Sequence, residues 1–119
     1  MGNKKRILIC DDEEGVRESL NLILEDSCKL DFASSGAEAI EKIKSNDFDG
    51  ILLDIKMPTK DGLETLEEIR NISPGIKVII VTGYQSVETA AKAVKLGAVD
   101  YITKPFESSE VKEKVKRSF

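Results

Sequence analysis

The sequence predicts an α/β domain, a doubly wound parallel sheet built from five strand-helix units. Three observations carry that expectation. The stretch Gly50-Ile51-Leu52-Leu53-Asp54 is apolar without polar alternation, as a strand covered on both faces is, and such strands belong to parallel sheets. Apolar runs of this kind alternate along the chain with stripes at helical spacing. The connections between them are short, as crossovers in a doubly wound sheet are. For five strands the common order is 2-1-3-4-5, which sets strands one and three side by side at the switch point.

Each element has its own warrant. Arg6 to Cys10 (RILIC) is an apolar strand that ends in the acidic run Asp11-Asp12-Glu13-Glu14. Val16, Leu20, Ile23 and Leu24 recur at helical spacing, which predicts a helix from about Glu14 to Asp26 with an acidic start that suits its dipole. Leu30 and Phe32 alternate with Asp31, the pattern of a half-exposed edge strand. Ser35-Gly-Ala-Glu38 reads as a capping box, opening a second helix with Ala39, Ile40 and Ile43 on its buried face. The central strand, Gly50 to Asp54, is cut off by Met57-Pro58. After the turn Thr59-Lys60-Asp61-Gly62, the residues Leu63, Leu66, Ile69 and Ile72 form the stripe of a third helix, stopped by Ser73-Pro74-Gly75. Ile76 to Val81 is a second doubly buried strand, ending in Thr82-Gly83. Ser86 can cap a fourth helix carrying Ala90, Ala91 and Val94, which Gly97 closes in a left-handed cap. Val99 to Thr103 is the last strand, and Lys104-Pro105-Phe106 leads into a final helix with Val111 and Val115 inward.

Composition bounds the function. The 119 residues make one domain, spanning 1–119, and a net charge of −4 offers no surface for nucleic acid. No apolar run approaches the ~18 residues that span a bilayer, and Met1-Gly2-Asn3-Lys4-Lys5-Arg6 leads straight into a strand rather than a signal-peptide core. A cytoplasmic protein with no membrane association is expected. Arg6 breaks the match of Gly2 to a myristoylation motif. Cys10, in a strand, and Cys28, in a turn, read as spare small residues rather than a disulfide framework. The chain has no histidine, which removes the commonest general base and metal ligand.

The strand ends define the chemistry. In an open α/β sheet, ligands gather outside the carboxyl ends of the strands. There the predicted order brings together Asp11 and Asp12 from strand one, Asp54 from strand three, Thr82 from strand four and Lys104 from strand five. Three carboxylates about 5 Å apart repel by roughly 3 kcal/mol per pair at an effective dielectric near 20. An all-oxygen set with an open side suits a hard divalent ion, Mg²⁺ with Mn²⁺ tolerated, held by Asp12 and Asp54 with Asp11 assisting. Asp54 is then the candidate nucleophile toward a phosphoryl group, Lys104 the cationic clamp and Thr82 a hydroxyl drawn inward once the phosphoryl arrives.

The set Asp11-Asp12, Asp54 with Met57-Pro58 and Asp61-Gly62, Thr82-Gly83, Tyr101 and Lys104-Pro105-Phe106 resembles the receiver domain of two-component response regulators, across essentially the whole chain. The resemblance implies a flavodoxin-like fold and transfer of a phosphoryl group from the phosphohistidine of a sensor kinase or histidine phosphotransfer domain onto Asp54, with Mg²⁺ obligatory. It implies that the backbone carbonyl of Lys56 completes the metal shell and that Lys104-Pro105 is cis. It also implies that Thr82 and Tyr101 move together to remodel the face formed by helix four, strand five and helix five for a downstream partner. By that resemblance the chain is a signalling phosphoacceptor, an enzyme only in the weak sense of self-phosphorylation and self-dephosphorylation. It is either a stand-alone receiver or a fragment of a longer regulator whose output domain is elsewhere. Lys56 and Tyr84 are expected to overhang the site and slow the water that attacks phospho-Asp54.

Each residue also has a bland reading. Asp11 to Glu14 alone suits an ordinary helix start, Asp54 an ordinary strand-end carboxylate, Thr82 a cap, Lys104 a surface lysine and Tyr101 a rim aromatic; their coincidence at strand ends is what favours a site. Three rival functions are weaker. A flavin site would need hydroxyls where Asp11 to Glu14 stand. An aspartate-nucleophile phosphatase usually carries a second Asp where Lys56 is. An interaction module that never phosphorylates usually lacks one of Asp12, Asp54 and Lys104. Helix one and the loop after strand five are the expected kinase-docking surface, through exposed Gly15, Glu18, Leu22, Pro105 and Phe106.

Overall fold

The computed structural model describes residues 4–55, 62–83 and 87–119. Five parallel strands stand in the order β2-β1-β3-β4-β5, as predicted. They are β1 (Lys5–Cys10), β2 (Cys28–Ala33), β3 (Gly50–Leu53), β4 (Lys77–Thr82) and β5 (Ala98–Thr103). Between and after them run α1 (Glu14–Leu24), α2 (Gly36–Ser45), α3 (Gly62–Ile72), α4 (Val87–Lys95) and α5 (Ser108–Ser118).

Alternation along the central strands builds the core twice. On one face Leu8, Cys10, Ile51, Leu53, Val78 and Ile80 pack with Ala39, Ile40 and Ile43 of α2, Leu66 and Ile69 of α3 and Ala93 of α4. On the other, Ile7, Ile9, Leu52, Ile79 and Val81 pack with Leu20 and Leu24 of α1 and Val111 and Val115 of α5. Both faces are apolar because both are covered, which is why these strands show no polar alternation in sequence. Each fully buried Ile or Leu contributes about 1.5–3 kcal/mol.

Several expectations need correction. Cys28 is not in a turn: it is the first residue of β2, paired with Lys5, and is buried. Helix α1 stops at Leu24, where the Glu25 N–H caps the last turn on the Asn21 carbonyl. The capping box of α2 is only half formed. Ser35 Oγ accepts the Glu38 N–H, but the Glu38 carboxylate accepts from the N–H and hydroxyl of Ser34, one residue earlier than a box requires. In α4 Ala93 is buried, whereas Ala91 and Val94 face solvent. The stripe runs Ala90-Ala93-Leu96, and alanines of equal hydropathy on every side gave no phase. Ile72, at the end of α3, is likewise exposed. Gly97 has the left-handed conformation expected of it, φ 89°, while Ser86 lies outside the described residues.

Candidate functional site

The site is assembled by backbone ladders that continue one residue past the strands. Asp11 N–H donates to the Ala33 carbonyl, Asp54 N–H to that of Cys10 and Lys104 N–H to that of Thr82, each at 3.0 Å. The register pairs Cys10 with Leu53, so Asp11 and Asp54 leave neighbouring strands together. Their main chains are fixed by the sheet, and only side chains remain free to adjust. Gly62 supports the acceptor from below. It donates to the Ile55 carbonyl at 3.0 Å, and a Cβ there would stand 2.6 Å from the Asp54 carbonyl oxygen and 2.1 Å from Ile55 Cα.

Asp11 and Asp54 are buried, 1% and 3% exposed, while Asp12 and Glu13 are open to solvent. One carboxylate oxygen from each of the four lies within 4.8 Å of the others. Lys104 Nζ is 2.8 Å from Asp11 Oδ2, 3.1 Å from Asp54 Oδ2 and 3.3 Å from Glu13 Oε1. Burial pushes the Asp11 carboxyl up, more strongly than the Lys104 ammonium and the Glu13 N–H, 2.9 Å from Oδ1, pull it down. Burial works against the charge on Lys104 too, but Asp11 and then Asp54 outweigh it and hold the ammonium protonated well above the usual lysine range. Asp11 Oδ2 is buried, and the Lys104 ammonium at 2.8 Å meets only part of its acceptor capacity. A buried oxygen lone pair beside three more carboxylates fits a hard cation, and neither nitrogen nor sulfur stands in the donor set.

Thr82 closes β4 and is buried. Tyr101, on the edge strand β5, is half-buried against the core layer that α2, α3 and α4 cover. Burial first, and the charge of Asp54 second, raise its phenol above the ordinary tyrosine value. The Lys104-Pro105 bond is cis, as the resemblance implied. The structure therefore brings Asp11, Asp12, Asp54 and Lys104 into one cluster at the carboxyl edge of the sheet. Lys56, Met57, Pro58, Asp61 and Tyr84 lie outside the described residues. Of the expected docking residues, Gly15, Glu18, Leu22 and Pro105 are exposed. Phe106 is not: it is half-buried against the α1/α5 core, because an aromatic in a short connection gains more from that apolar layer than from water. Glu13 was missed as a site residue. Its place within the acidic run was visible, but its contact with Lys104, 91 residues away, has no local signal.

A family model described as the response regulator receiver domain matches residues 7–116, and the chain belongs to that family. It is 40% identical over 112 residues to chemotaxis protein CheY of Halobacterium salinarum, covering 93% of each chain. It is 34% identical over 114 residues to sporulation initiation phosphotransferase F of Bacillus subtilis, covering 95% of this chain and 92% of that one. Transcriptional regulatory protein ZraR of Klebsiella oxytoca is 40% identical over 107 residues, 89% of this chain, but the chain spans only 24% of that regulator's length. Among solved structures, a CheY-like receiver domain from Methanospirillum hungatei superposes with TM-score 0.93 at 38% identity, over 97% of this chain and 93% of that one. Response regulator TrrA of Thermotoga maritima, in complex with Mg²⁺ and beryllium fluoride, gives 0.85 at 39% identity, over 95% and 97% of the two chains. The fold is thus CheY-like and flavodoxin-like, and the family is one of signalling receivers rather than turnover enzymes.

Proposed function

We propose that the whole chain acts as one receiver domain, in which Asp54 accepts a phosphoryl group from the phosphohistidine of a sensor kinase or histidine phosphotransfer domain. A carboxylate oxygen of Asp54 bonds to phosphorus, the P–N bond breaks, and its electron pair leaves with the imidazole. The residues that would hold Mg²⁺ are Asp11, Asp12 and Asp54 by their side chains and Lys56 by its backbone carbonyl; an all-oxygen set also tolerates Mn²⁺. When bound, the ion supplies positive charge against the phosphoryl oxygens. Lys104 orients Asp54 before transfer and re-pairs with the phosphoryl oxygens afterwards, so its charge is never left buried alone. Self-phosphorylation by small donors and slow self-hydrolysis follow from the same geometry, since the chain offers no histidine as general base.

The switch we infer is an inward movement of Thr82 toward the phosphoryl group, followed by Tyr101. This changes the face of α4, β5 and α5, where Val94 and Val99 are 68% and 48% exposed. A downstream protein, or an output domain elsewhere, reads that face. We place the protein in the cytoplasm; among the described residues no helix is long and apolar enough to cross a membrane. Kinase docking falls to Gly15, Glu18 and Pro105 near the site and to Leu22 further along α1, with Phe106 acting from beneath as packing.

The observation that carries this reading is the Lys104 ammonium held 3.1 Å from the buried Asp54 carboxylate within an acidic cluster. Intact-mass spectrometry after incubation with acetyl phosphate tests it. One phosphoryl adduct is expected in wild type with Mg²⁺, and none after chelation or in Asp54→Asn. An adduct that persists in Asp54→Asn would move the acceptor elsewhere.

A further inference from the structure

At the opposite end of the sheet, α1 and α5 leave between them a groove of about 600 Å³, within the range of ligand-sized sites. Its lining includes Lys5, the first residue of β1, whose other end leads into Asp11. Six strand residues separate the two sites by roughly 20 Å. The floor is apolar: Ile23 of α1, Cys28 of β2, Val115 of α5 and Phe119, with the exposed Leu22 on its edge. The rim is basic. Lys5, Lys112 and Lys116 line it against one acidic side chain, Asp26, and none of the three lysines makes an ion pair with a side chain among the described residues. Lys114, on the same helix, behaves differently, pairing with Glu110 at 3.3 Å and Asp100 at 3.8 Å. In a chain of net charge −4, an apolar groove ringed by ammonium groups is a local reversal of sign.

We propose that this groove is a second docking site, for an amphipathic segment of a partner protein that places apolar side chains on the floor and Asp or Glu against the lysine rim. Charge complementarity selects an acidic segment, and the long apolar gap between two helices suits the helix-in-groove mode. A nucleic acid fits poorly, because Phe119 is the one aromatic in the lining and the acidic chain as a whole repels a polyanion. The inference does not depend on phosphoryl transfer, since it uses none of the residues near Asp54.

The test titrates ¹⁵N-labelled protein with a synthetic Leu/Glu amphipathic peptide of about four helical turns, roughly 14 residues, and with its Leu/Lys counterpart. The Leu/Glu peptide is expected to shift the amides of Leu22, Cys28, Lys112 and Lys116 and leave Asp54 unmoved. Lys112→Glu with Lys116→Glu should weaken it about tenfold, while acetyl phosphate still loads Asp54 as in wild type. No shift at millimolar peptide, or equal shifts with the lysine peptide, overturns the proposal. So do the same shifts appearing with protein concentration alone, which assign the groove to a second copy, and displacement of the peptide by phosphatidylglycerol vesicles, which assigns it to a lipid surface.

Discussion

Lys104 answers for the charge that the sheet brings together. With Asp11 and Asp54 nearly fully buried, it offsets only part of the repulsion among four carboxylates, and a bound cation relieves the remainder. Millimolar Mg²⁺ should therefore raise the melting temperature of wild type and have much less effect on Asp12→Asn, measured by differential scanning calorimetry; equal shifts in both would remove the cluster as the metal site. Asp100 is a separate residue-level case. Burial opposes its charge, but Arg117 at 2.7 Å, the Tyr101 N–H at 2.8 Å and Lys114 hold its carboxyl below the usual 3.8. A depressed folded value means stability that is present above pH ~3.9 and lost as the pH falls through the lowered value. Asp100→Asn should be about 1 kcal/mol less stable at pH 7, with the gap closing in urea melts as the pH falls through that lowered value. A gap independent of pH would mean that packing, not charge, holds that corner.

Two elements are joined by contacts with no slack. Gly36 opens α2 against Thr65 of α3, where a Cβ would stand 2.2 Å from Thr65 Oγ1. Thr65 is buried and stiff at χ1, so Gly36→Ala should cost about 1–3 kcal/mol, and Gly36→Ala with Thr65→Ala should recover most of it; no recovery would place the strain elsewhere. Arg70 is the other fastening. Its guanidinium donates to the carbonyls of Leu96 (2.9 Å) and Gly97 (2.9 Å), beyond the end of α4, and of Pro74 (3.0 Å) and Ile76 (2.6 Å), beyond the end of α3. A cation there also complements two helix C-termini. Arg70→Met should lower stability by about 2 kcal/mol and speed amide exchange at Leu96 and Gly97 while β1 and β3 stay protected; uniform exchange would contradict a local role. Neither fastening was legible in the sequence. A lone Arg on a polar helix face carries no pattern, and its partners lie 26 and 27 residues on. The strands were legible because burial on both faces writes itself as an unbroken apolar run, whereas α4 was misphased because alanines mark no face.

At the scale of the whole molecule, the topology does most of the work of the site. Once β1 and β3 are neighbours, Asp11 and Asp54 must meet, and the sequence announces this because strands of one residue class end in residues of another. The fine settings are long-range and silent in sequence: Glu13 on Lys104, Phe106 folded under the loop, and Cys28 inside the sheet. Neither cysteine forms a disulfide and both are buried, but at unequal depth. Cys10 closes a central strand, its thiol pushed up to about 12 by burial first and by Asp11 and Asp54 second, with Sγ 3.4 Å from the Ser35 carbonyl. Cys28 starts an edge strand, where fraying alone exposes it. The protein thus carries two internal clocks. Alkylation at Cys28 times the loosening of one margin, and alkylation at Cys10 times the parting of the sheet itself, so the two labelling rates in a single tube should report local and global opening separately, Cys28 running ahead.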